Sequence, residues 1–187
     1  KQYTTSFTTI TISQTKFNTE QHQYQFNMAP TEQDKEMMRE AIKVMRDAGV
    51  VNKTGGPFGC VVAKDGKIIA KSGNRVIADN DPSAHAEVCT IRKACKELGT
   101  WDLSGCTLYT SCQCCPMCYS TSFWARVDKV YYAAAWDDYD DLFSDAEINA
   151  DLKKDQSDMK LKPECILRDE AKVVWEEFRK MPDGARY

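Results

Sequence analysis

The sequence predicts an α/β fold in which a mixed β-sheet lies between helices. Two observations indicate it: segments of helical and strand periodicity alternate along the chain, and the first two strands form a hairpin. Such alternation places helices over a sheet, and a hairpin makes at least one strand pair antiparallel. The chain has 187 residues, of which 42% are apolar, enough for one domain with a substantial core.

The first helix is predicted to begin at Thr31. Thr31 followed by Asp34 is typical of a helix start. Apolar residues then recur at helical spacing until Gly49, where the helix is expected to end. These apolar residues are Met38, Ala41, Ile42, Met45 and Ala48.

A hairpin is predicted after the Gly-Gly-Pro turn at residues 55–57. Residues 58–63 and 68–72 have the composition of strands. Between them lies Asp65-Gly66, a pair that favours a two-residue hairpin turn. The two strands are therefore expected to be antiparallel neighbours.

A second helix is expected to begin near His85. The Asn-Asp-Pro stretch at residues 80–82 does not continue a strand, and Ser83 is a plausible N-cap. A short strand at residues 107–110 then leads into a cluster of cysteines.

The last elements are a helix, a strand and a helical tail. Pro116 is tolerated in the first turn of a helix, and the residues after it continue one. Residues 129–135 indicate a strand, and residues 164–180 have the apolar spacing of an amphipathic helix.

Charge gives no support for a nucleic-acid partner. The net charge is −3, and from Asp137 onward the chain carries 15 acidic and 9 basic residues. This part of the chain would repel a phosphate backbone. No segment has the ~20 uncharged apolar residues of a spanning helix, and no signal-peptide core is visible. We therefore expect neither membrane insertion nor secretion.

The cysteine content favours a reducing compartment. Nine cysteines without a secretory signal more often bind metal than form disulfides, and their odd number does not suit a complete disulfide framework. We predict a cytoplasmic location, and organellar targeting by the N-terminal segment stays open.

Residues 1–29 are predicted to be an extension outside the fold, and residues 30–187 the functional domain with a C-terminal tail at 146–187. Residues 1–27 are rich in Thr, Gln, Asn and Ser, and the Met-Ala-Pro that follows resembles an ordinary start of translation. A vector-derived or upstream-translated extension explains this composition. A transit peptide explains it less well, since such peptides are usually rich in Arg.

Two motifs stand where helices are predicted to begin. "PSAHAEV" contains His85 and Glu87, and "CCPMC" contains Cys115 and Cys118. A Cys-x-x-Cys pair at a helix start directs both sulfurs to one centre, where the helix dipole favours thiolate. Two thiolates and one imidazole can hold zinc and leave a fourth position for water. Zinc lowers the pKa of such a water to about 7, and Glu87 would shuttle its proton.

The cysteine cluster "SCQCCPMC" admits three interpretations: a disulfide, an all-cysteine structural metal site, or part of a catalytic site completed by His85. An all-cysteine site would crowd its ligands and need a further cysteine from elsewhere. Cys112 and Cys114 are therefore expected to lie beside the site without binding metal. For His85 the structural alternative is an ordinary helix-start histidine, and for Glu87 a solvated acid in the first turn.

The His-x-Glu and Cys-x-x-Cys motifs together resemble those of the cytidine deaminase-like superfamily of zinc hydrolases, and the chain is most similar to its guanine deaminases. The resemblance covers residues 37–187. It rests on "GGPFGCVV" (55–62), "NDPSAHAEVCTIRKACKELG" (80–99), "LYTSCQCCPMC" (108–118), "FWAR" (123–126) and "VYYAA" (130–134). It implies a three-layer fold with a five-stranded mixed sheet between helices. It also implies a homodimer whose helical C-terminal tails are exchanged between subunits.

The resemblance implies the roles of four residues. His85, Cys115 and Cys118 would hold one Zn²⁺ per chain, and Glu87 would be the catalytic proton shuttle. The implied reaction is the hydrolytic deamination of a purine base, with guanine giving xanthine and ammonia. A small purine is thus the expected partner.

The resemblance also implies contacts with the base. The residues concerned are Asn74, Phe58, Ala86 (through its backbone N–H), Trp124, Asp145 and Tyr187. Each has a structural alternative: the end of a strand for Asn74, core packing for Phe58, Ala86 and Trp124, one more surface charge for Asp145, and a disordered terminus for Tyr187. Two residues depart from the family pattern, since Gln113 and Cys114 stand where it has Glu and Pro.

Three other functions stay open. Guanosine would need only an opening for its ribose. A tRNA adenosine deaminase or a cytosine deaminase is the second alternative. The tRNA enzyme should have a basic surface near the site, against which the acidic C-terminal third argues. A zinc-binding module without catalysis would not need Glu87, which is present.

Overall fold

The computed structural model describes residues 29–185, and they form two compact units. One unit extends through Asp138, and the other begins at Tyr139. Residues 1–28 lie outside the described residues, so the predicted extension at 1–29 stays a prediction, as does the single domain at 30–187.

The first unit contains four strands and four α-helices among its described residues. In chain order these are α1 (Glu32–Arg46), β1 (Gly59–Lys64), β2 (Lys67–Gly73), α2 (Val76–Asp79), α3 (Ala86–Leu98), β3 (Cys106–Cys112), α4 (Pro116–Trp124) and β4 (Lys129–Ala134). A π-helical turn at Asp47–Val51 follows α1, and a 3-10 turn at Trp136–Asp138 follows β4. The second unit contains α5 (Ala146–Asp151), a 3-10 turn (Gln156–Asp158) and α6 (Arg168–Lys180).

The sheet is mixed, as predicted, with strand order β2-β1-β3-β4. β1 is antiparallel to both β2 and β3, whereas β3 and β4 are parallel. The parallel pair requires a crossover connection, which α4 provides. The C-terminal end of β3 therefore leads directly into the N-terminus of α4.

The expected fifth strand is not found, because the described residues contain a four-stranded sheet. Strand periodicity itself predicts four strands, and the fifth came from the family resemblance alone. After β4 the described residues contain 3-10 turns and the helices α5 and α6, but no further strand.

The central strand β1 shows why the sheet lies between two helical layers. Its residues from Gly59 to Ala63 are all buried, so both faces of the strand are covered. Cys60 and Val62 pack in a cluster with residues of α3. Val61 and Ala63 alternate with them and pack in a cluster with Ala41 of α1. The three-layer arrangement is thereby confirmed.

Local sequence signals fix the start of α1 and the hairpin as predicted, whereas the α-helix ends at Arg46, before the expected end at Gly49. Thr31 caps α1 in a reciprocal capping box with Asp34. Asp65 and Gly66 adopt φ angles of 49° and 72°, which suit the two-residue turn between β1 and β2. A Cβ at Gly59 would lie 2.3 Å from the Ala41 carbonyl oxygen, so this glycine permits the close approach of β1 to α1.

One predicted helix cap and one predicted helix start differ from the structure, although α3 begins near His85 as predicted. Ser83 is not the N-cap of α3, because its N–H and hydroxyl both donate to Asp81 Oδ1 in a turn before the helix, and His85 takes the cap position. The tail helix begins at Arg168 and not at residue 164, since Leu167 before it adopts a left-handed backbone conformation. Within the described residues, no helix has the length and apolar character to cross a membrane.

Candidate metal and proton-transfer site

Two helix N-termini bring the predicted metal-binding residues together. His85 is the N-cap residue of α3, and Cys115 is the N-cap residue of α4. Pro116 occupies the first turn of α4, where its missing N–H costs no helical hydrogen bond. Cys115 Sγ accepts a hydrogen bond from the backbone N–H of Cys118 at 3.4 Å. Both Sγ atoms of the Cys-x-x-Cys pair are therefore oriented by one helical turn.

The spacing of the three side chains fits a tetrahedral zinc ion. His85 Nδ1 lies 3.6 Å from Cys115 Sγ and 3.5 Å from Cys118 Sγ. Zinc bonds of about 2.3 Å to sulfur and about 2.0 Å to nitrogen, at the tetrahedral angle, place S and N about 3.5 Å apart. Among the described residues, this trio is the one group of metal-binding side chains with ligand atoms within 4.8 Å of one another.

The pKa values of the two thiols shift in opposite directions in the metal-free protein. The hydrogen bond with Cys118 lowers the pKa of Cys115 to about 4. The same pair interaction, together with burial, raises the pKa of Cys118. Metal binding therefore requires Cys118 to lose its proton, because cysteine binds zinc as thiolate.

Glu87 lies beside the three residues and is only 5% exposed. Its Oε2 is 3.3 Å from Cys118 Sγ, so one carboxylate oxygen faces the ligand group. Burial raises the pKa of Glu87, and the hydrogen bonds that its carboxylate accepts oppose this shift. A buried carboxyl group with a raised pKa next to a metal site is suited to proton transfer.

Thr110 contacts the other oxygen of Glu87 and was not identified from the sequence. Its hydroxyl lies 2.9 Å from Glu87 Oε1 and 3.0 Å from the carbonyl oxygen of Cys112. The available signal was strand alternation: Leu108 packs in the cluster under α3, so Thr110, two residues later, faces the same side. A hydroxyl there lies under the first turn of α3.

Asn74 is buried and its side-chain amide has a defined orientation. Its Oδ1 accepts the backbone N–H of Val76 at 3.0 Å, which leaves Nδ2 as a donor. A Cβ at Gly55 would lie 1.9 Å from Asn74 Oδ1, so the glycine leaves the space that the amide fills. The backbone N–H of Asn74 donates to the Phe58 carbonyl at 2.9 Å, which ties the end of β2 to the start of β1.

The other predicted base-contacting residues of the first unit differ in burial. The Ala86 side chain is fully buried in the core, while its backbone lies in the first turn of α3, where helical N–H groups lack intrahelical partners. Phe58 is partly buried and packs against the same core cluster. Trp124 is 62% exposed at the end of α4, so core packing is not its role.

Two predicted residues lie outside this unit. Asp145 belongs to the second unit, where it is the N-cap residue of α5. Tyr187 lies outside the described residues. Their assignment to the site stays a prediction.

Cys112 and Cys114 flank the site but are not part of the metal-binding trio. Cys112 is buried at the end of β3. Cys114 is half-buried near Glu87, and burial followed by the negative charge of that residue raises the pKa of its thiol. All nine cysteines are free thiols in the structure.

The described site matches a known family. The family model for the cytidine and deoxycytidylate deaminase zinc-binding region matches residues 31–134, from α1 through β4. Guanine deaminase from Bacillus subtilis is 53% identical over 106 residues, which cover 54% of this chain and 68% of that protein. The tRNA-specific adenosine deaminase of Agrobacterium fabrum is 41% identical over 97 residues, covering 52% of this chain and 62% of that protein.

Solved structures agree with these similarities. The crystal structure of guanine deaminase from Bacillus subtilis has a TM-score of 0.78 at 38% identity, and the match covers 82% of this chain and 98% of that one. The protein NE0047 bound to 2,6-diaminopurine has a TM-score of 0.56 at 30% identity, covering 64% of this chain and 65% of that one.

Proposed function

The chain belongs to the cytidine and deoxycytidylate deaminase zinc-binding family, and we propose that it catalyses the hydrolytic deamination of guanine to xanthine and ammonia. The observation that carries this proposal is the convergence of His85, Cys115 and Cys118 beside the buried Glu87. Guanine is favoured because the guanine deaminase relative is more similar to this chain than the tRNA deaminases are.

In this proposal His85 Nδ1 and the Sγ atoms of Cys115 and Cys118 hold one Zn²⁺ per chain. Zinc supplies activation of water, by lowering its pKa to about 7. The three protein ligands leave the fourth position that this chemistry needs. A four-cysteine structural site would leave no such position.

Glu87 moves the protons of the reaction. It takes one proton from the attacking water and places it on a ring nitrogen as the C–O bond forms at the amino-bearing carbon. It then takes the second proton from the new hydroxyl group and places it on the amino group. The C–N bond breaks, ammonia leaves, and Glu87 is again a carboxylate.

Base recognition is assigned first to Asn74. Its Oδ1 is occupied by the Val76 N–H, so it presents an N–H donor to the base. Guanine carries two neighbouring acceptors, N7 and O6, that match such a donor. Phe58, Trp124 and the backbone N–H of Ala86 would line the same pocket.

Asp145 and Tyr187 complete the proposed recognition of guanine. The acidic Asp145 would accept hydrogen bonds from N–H groups of the base. Tyr187 would cover the site as part of a lid. Asp145 lies in the second unit, and Tyr187 lies outside the described residues. Their contribution to the site therefore depends on where the C-terminal tail lies in the assembled protein.

The protein is proposed to act as a homodimer whose C-terminal tails are exchanged. Support comes from apolar side chains of the second unit that the single chain leaves exposed, such as Val174 and Trp175 of α6. The first unit likewise exposes Tyr119, Phe123 and Trp124 along α4. Large exposed apolar groups of this kind mark surfaces for association. The cytoplasmic location stays a prediction, for which the nine free thiols are the support.

The test is an ammonia-release assay on purified protein with guanine, guanosine, adenine and cytosine. We expect turnover of guanine and its loss by at least about 10²-fold in Glu87→Gln, which keeps the shape but removes the base. Glu97→Gln changes an exposed residue of the same helix and serves as the matched control with wild-type turnover. Activity on none of the four compounds, or full activity in Glu87→Gln, contradicts the proposal.

The outcomes also separate the alternatives. Preference for guanosine would indicate a nucleoside deaminase with an open site. Activity on tRNA, cytosine or adenine in place of guanine would identify another member of the family. One zinc ion per chain without deamination of any substrate would indicate a zinc-binding module.

A further inference from the structure

Thr110 is a fully enclosed side chain whose hydroxyl contacts the proposed proton shuttle. It lies near the C-terminal end of β3 and is 1% exposed. Its Oγ1 is 2.9 Å from Glu87 Oε1, and the Glu87 side chain is buried as well. A hydrogen bond from a buried hydroxyl to a carboxylate is charge-assisted and stronger than one between neutral groups.

The two oxygens of Glu87 therefore have different surroundings. Oε1 faces Thr110, whereas Oε2 faces Cys118 Sγ at 3.3 Å. The terminal torsion of a glutamate is broad, so the carboxylate plane needs a contact to fix it. Thr110 provides that contact on the side away from the metal-binding residues.

The Thr110 hydroxyl has one proton and two acceptors within reach. The second acceptor is the carbonyl oxygen of Cys112 at 3.0 Å. An ionised carboxylate attracts the proton more strongly than a neutral carbonyl. Once Glu87 is protonated, the carbonyl becomes a competitive acceptor, and the hydroxyl can turn to it without moving its oxygen. Thr110 thus stays hydrogen-bonded throughout a cycle in which Glu87 gains and loses a proton.

We propose that Thr110 is a positioning residue that anchors Glu87 Oε1, so that Oε2 alone carries the proton between the water, the base and the leaving amine. The inference rests on the proposed deaminase function. Without the anchor, the carboxylate samples orientations in which neither oxygen is aligned. Proton transfer then slows, while substrate binding, which Thr110 does not contact, is preserved.

The experiment compares Thr110→Val with Thr110→Ser in the zinc-loaded protein. Valine keeps the shape of threonine without its hydroxyl, and serine keeps the hydroxyl without the methyl group. For Thr110→Val we expect kcat for guanine to fall about 10- to 100-fold, the range for loss of a hydrogen bond to a charged group. KM and zinc content should stay within about twofold, and Thr110→Ser should recover most of kcat.

Thr90→Val is the matched control. Thr90 is also buried, and its hydroxyl donates to the backbone carbonyl of Ala86 at 2.7 Å and not to Glu87. The same isosteric change there should leave kcat near the wild-type value. If Thr110→Val does not fold, Thr110→Ala is the second hydroxyl-free variant, with the same expected fall in kcat.

A structural measurement accompanies the kinetics. Crystal structures of the zinc-loaded proteins should show one Glu87 carboxylate orientation in the wild type and Thr110→Ser, and more than one in Thr110→Val. Wild-type kcat in Thr110→Val, equal losses in the valine and serine variants, or an unchanged Glu87 orientation would overturn the inference. If the wild-type protein itself does not deaminate guanine, the proposed function fails instead, which separates the two failures.

Discussion

Gly55 determines where the Asn74 amide can lie. A Cβ at residue 55 would come 1.9 Å from Asn74 Oδ1, although the Gly55 backbone is not in the left-handed region. Gly55→Ala therefore acts by displacing Asn74 and not by backbone strain. The displaced amide loses its bond from the Val76 N–H and, with it, the orientation of its donor.

We expect Gly55→Ala to raise KM for guanine about tenfold with a smaller change in kcat, because one neutral hydrogen bond to the substrate is lost. Steady-state kinetics measure this split. In an Asn74→Ala background, Gly55→Ala should raise KM little further, since both substitutions remove the same hydrogen bond to the substrate. Gly99→Ala is the control: Gly99 has a φ of 66° and no neighbouring atom within 4 Å, so the change should cost about 1 kcal/mol of stability and leave KM unchanged. Additive effects in the double variant would contradict the assignment.

The convergence of His85, Cys115 and Cys118 could be predicted from the sequence because these residues stand at two helix starts. Cys115 and Cys118 lie on one turn, and His85 precedes the other helix. The Thr110 contact could not be predicted in the same way, because it joins residues 23 positions apart across a strand and a helix. The packing of α3 against β3 brings the Thr110 hydroxyl under Glu87.

At the level of elements, the N-terminus of α1 is tied to the sheet by Asp34. Its carboxylate accepts the Thr31 N–H at 2.8 Å and the Tyr109 hydroxyl at 2.6 Å. Burial alone would raise the pKa of Asp34, but the hydrogen bonds from Thr31 and Tyr109 outweigh it and hold the pKa below 3.8. Because the folded-state pKa is lowered, the ionised carboxylate stabilises the fold above the unfolded-state pKa. This stabilisation disappears as the pH falls through the folded-state value.

Asp34→Asn is therefore expected to lower the free energy of unfolding by about 1 kcal/mol at neutral pH, the usual effect of weakening a helix cap. The difference from wild type should shrink below about pH 4, where Asp34 itself becomes protonated. Urea denaturation of both proteins at each pH measures this difference in the free energy of unfolding. Stability losses that both proteins share as the pH falls cancel in the difference. Glu36→Gln, at an exposed position of the same helix, is the matched control. A constant difference across this pH range would show that charge does not matter at the cap.

The elements themselves were predictable where a local rule determines them. The capping box at Thr31, the Asp65-Gly66 turn and Pro116 at the start of α4 each formed as expected. The N-cap of α3 was misassigned because the Ser83 hydroxyl donates to Asp81 instead of capping the helix. The prediction of a fifth strand was wrong for a different reason. It came from the family resemblance, and no local pattern in the chain supported it.

At the scale of the whole molecule, the second unit exposes several large apolar side chains. Leu161, Ile166 and Val174 are each more than 60% exposed in the single chain, as is Phe123 of the first unit. Burying a side chain of this size stabilises a protein by roughly 1.5–3 kcal/mol. A dimer in which a second copy covers several of these side chains would therefore be substantially stabilised. These exposures favour the proposed dimer, and which active site each tail covers is a separate question.

Complementation between two defective variants answers that question. One variant carries Glu87→Ala with an intact tail, and the other has intact Glu87 but lacks residues 184–187, including Tyr187. In an exchanged dimer, the intact site of the second chain is covered by the tail of the first. Because random pairing makes half of the dimers mixed, each with one complete site, about a quarter of the wild-type activity should appear after the two are co-refolded.

If each tail covers its own subunit, no mixed dimer has a complete site, and the mixture should not exceed the sum of its parts. A chain carrying both changes, co-refolded with the Glu87→Ala chain, is the control, since neither supplies a shuttle. Sedimentation measures the dimer directly, and a monomer in solution would contradict exchange before any mixing. Full guanine turnover by the truncated chain alone would show that Tyr187 is not part of a lid, because a lid that can be deleted without effect does not exclude water from the reaction.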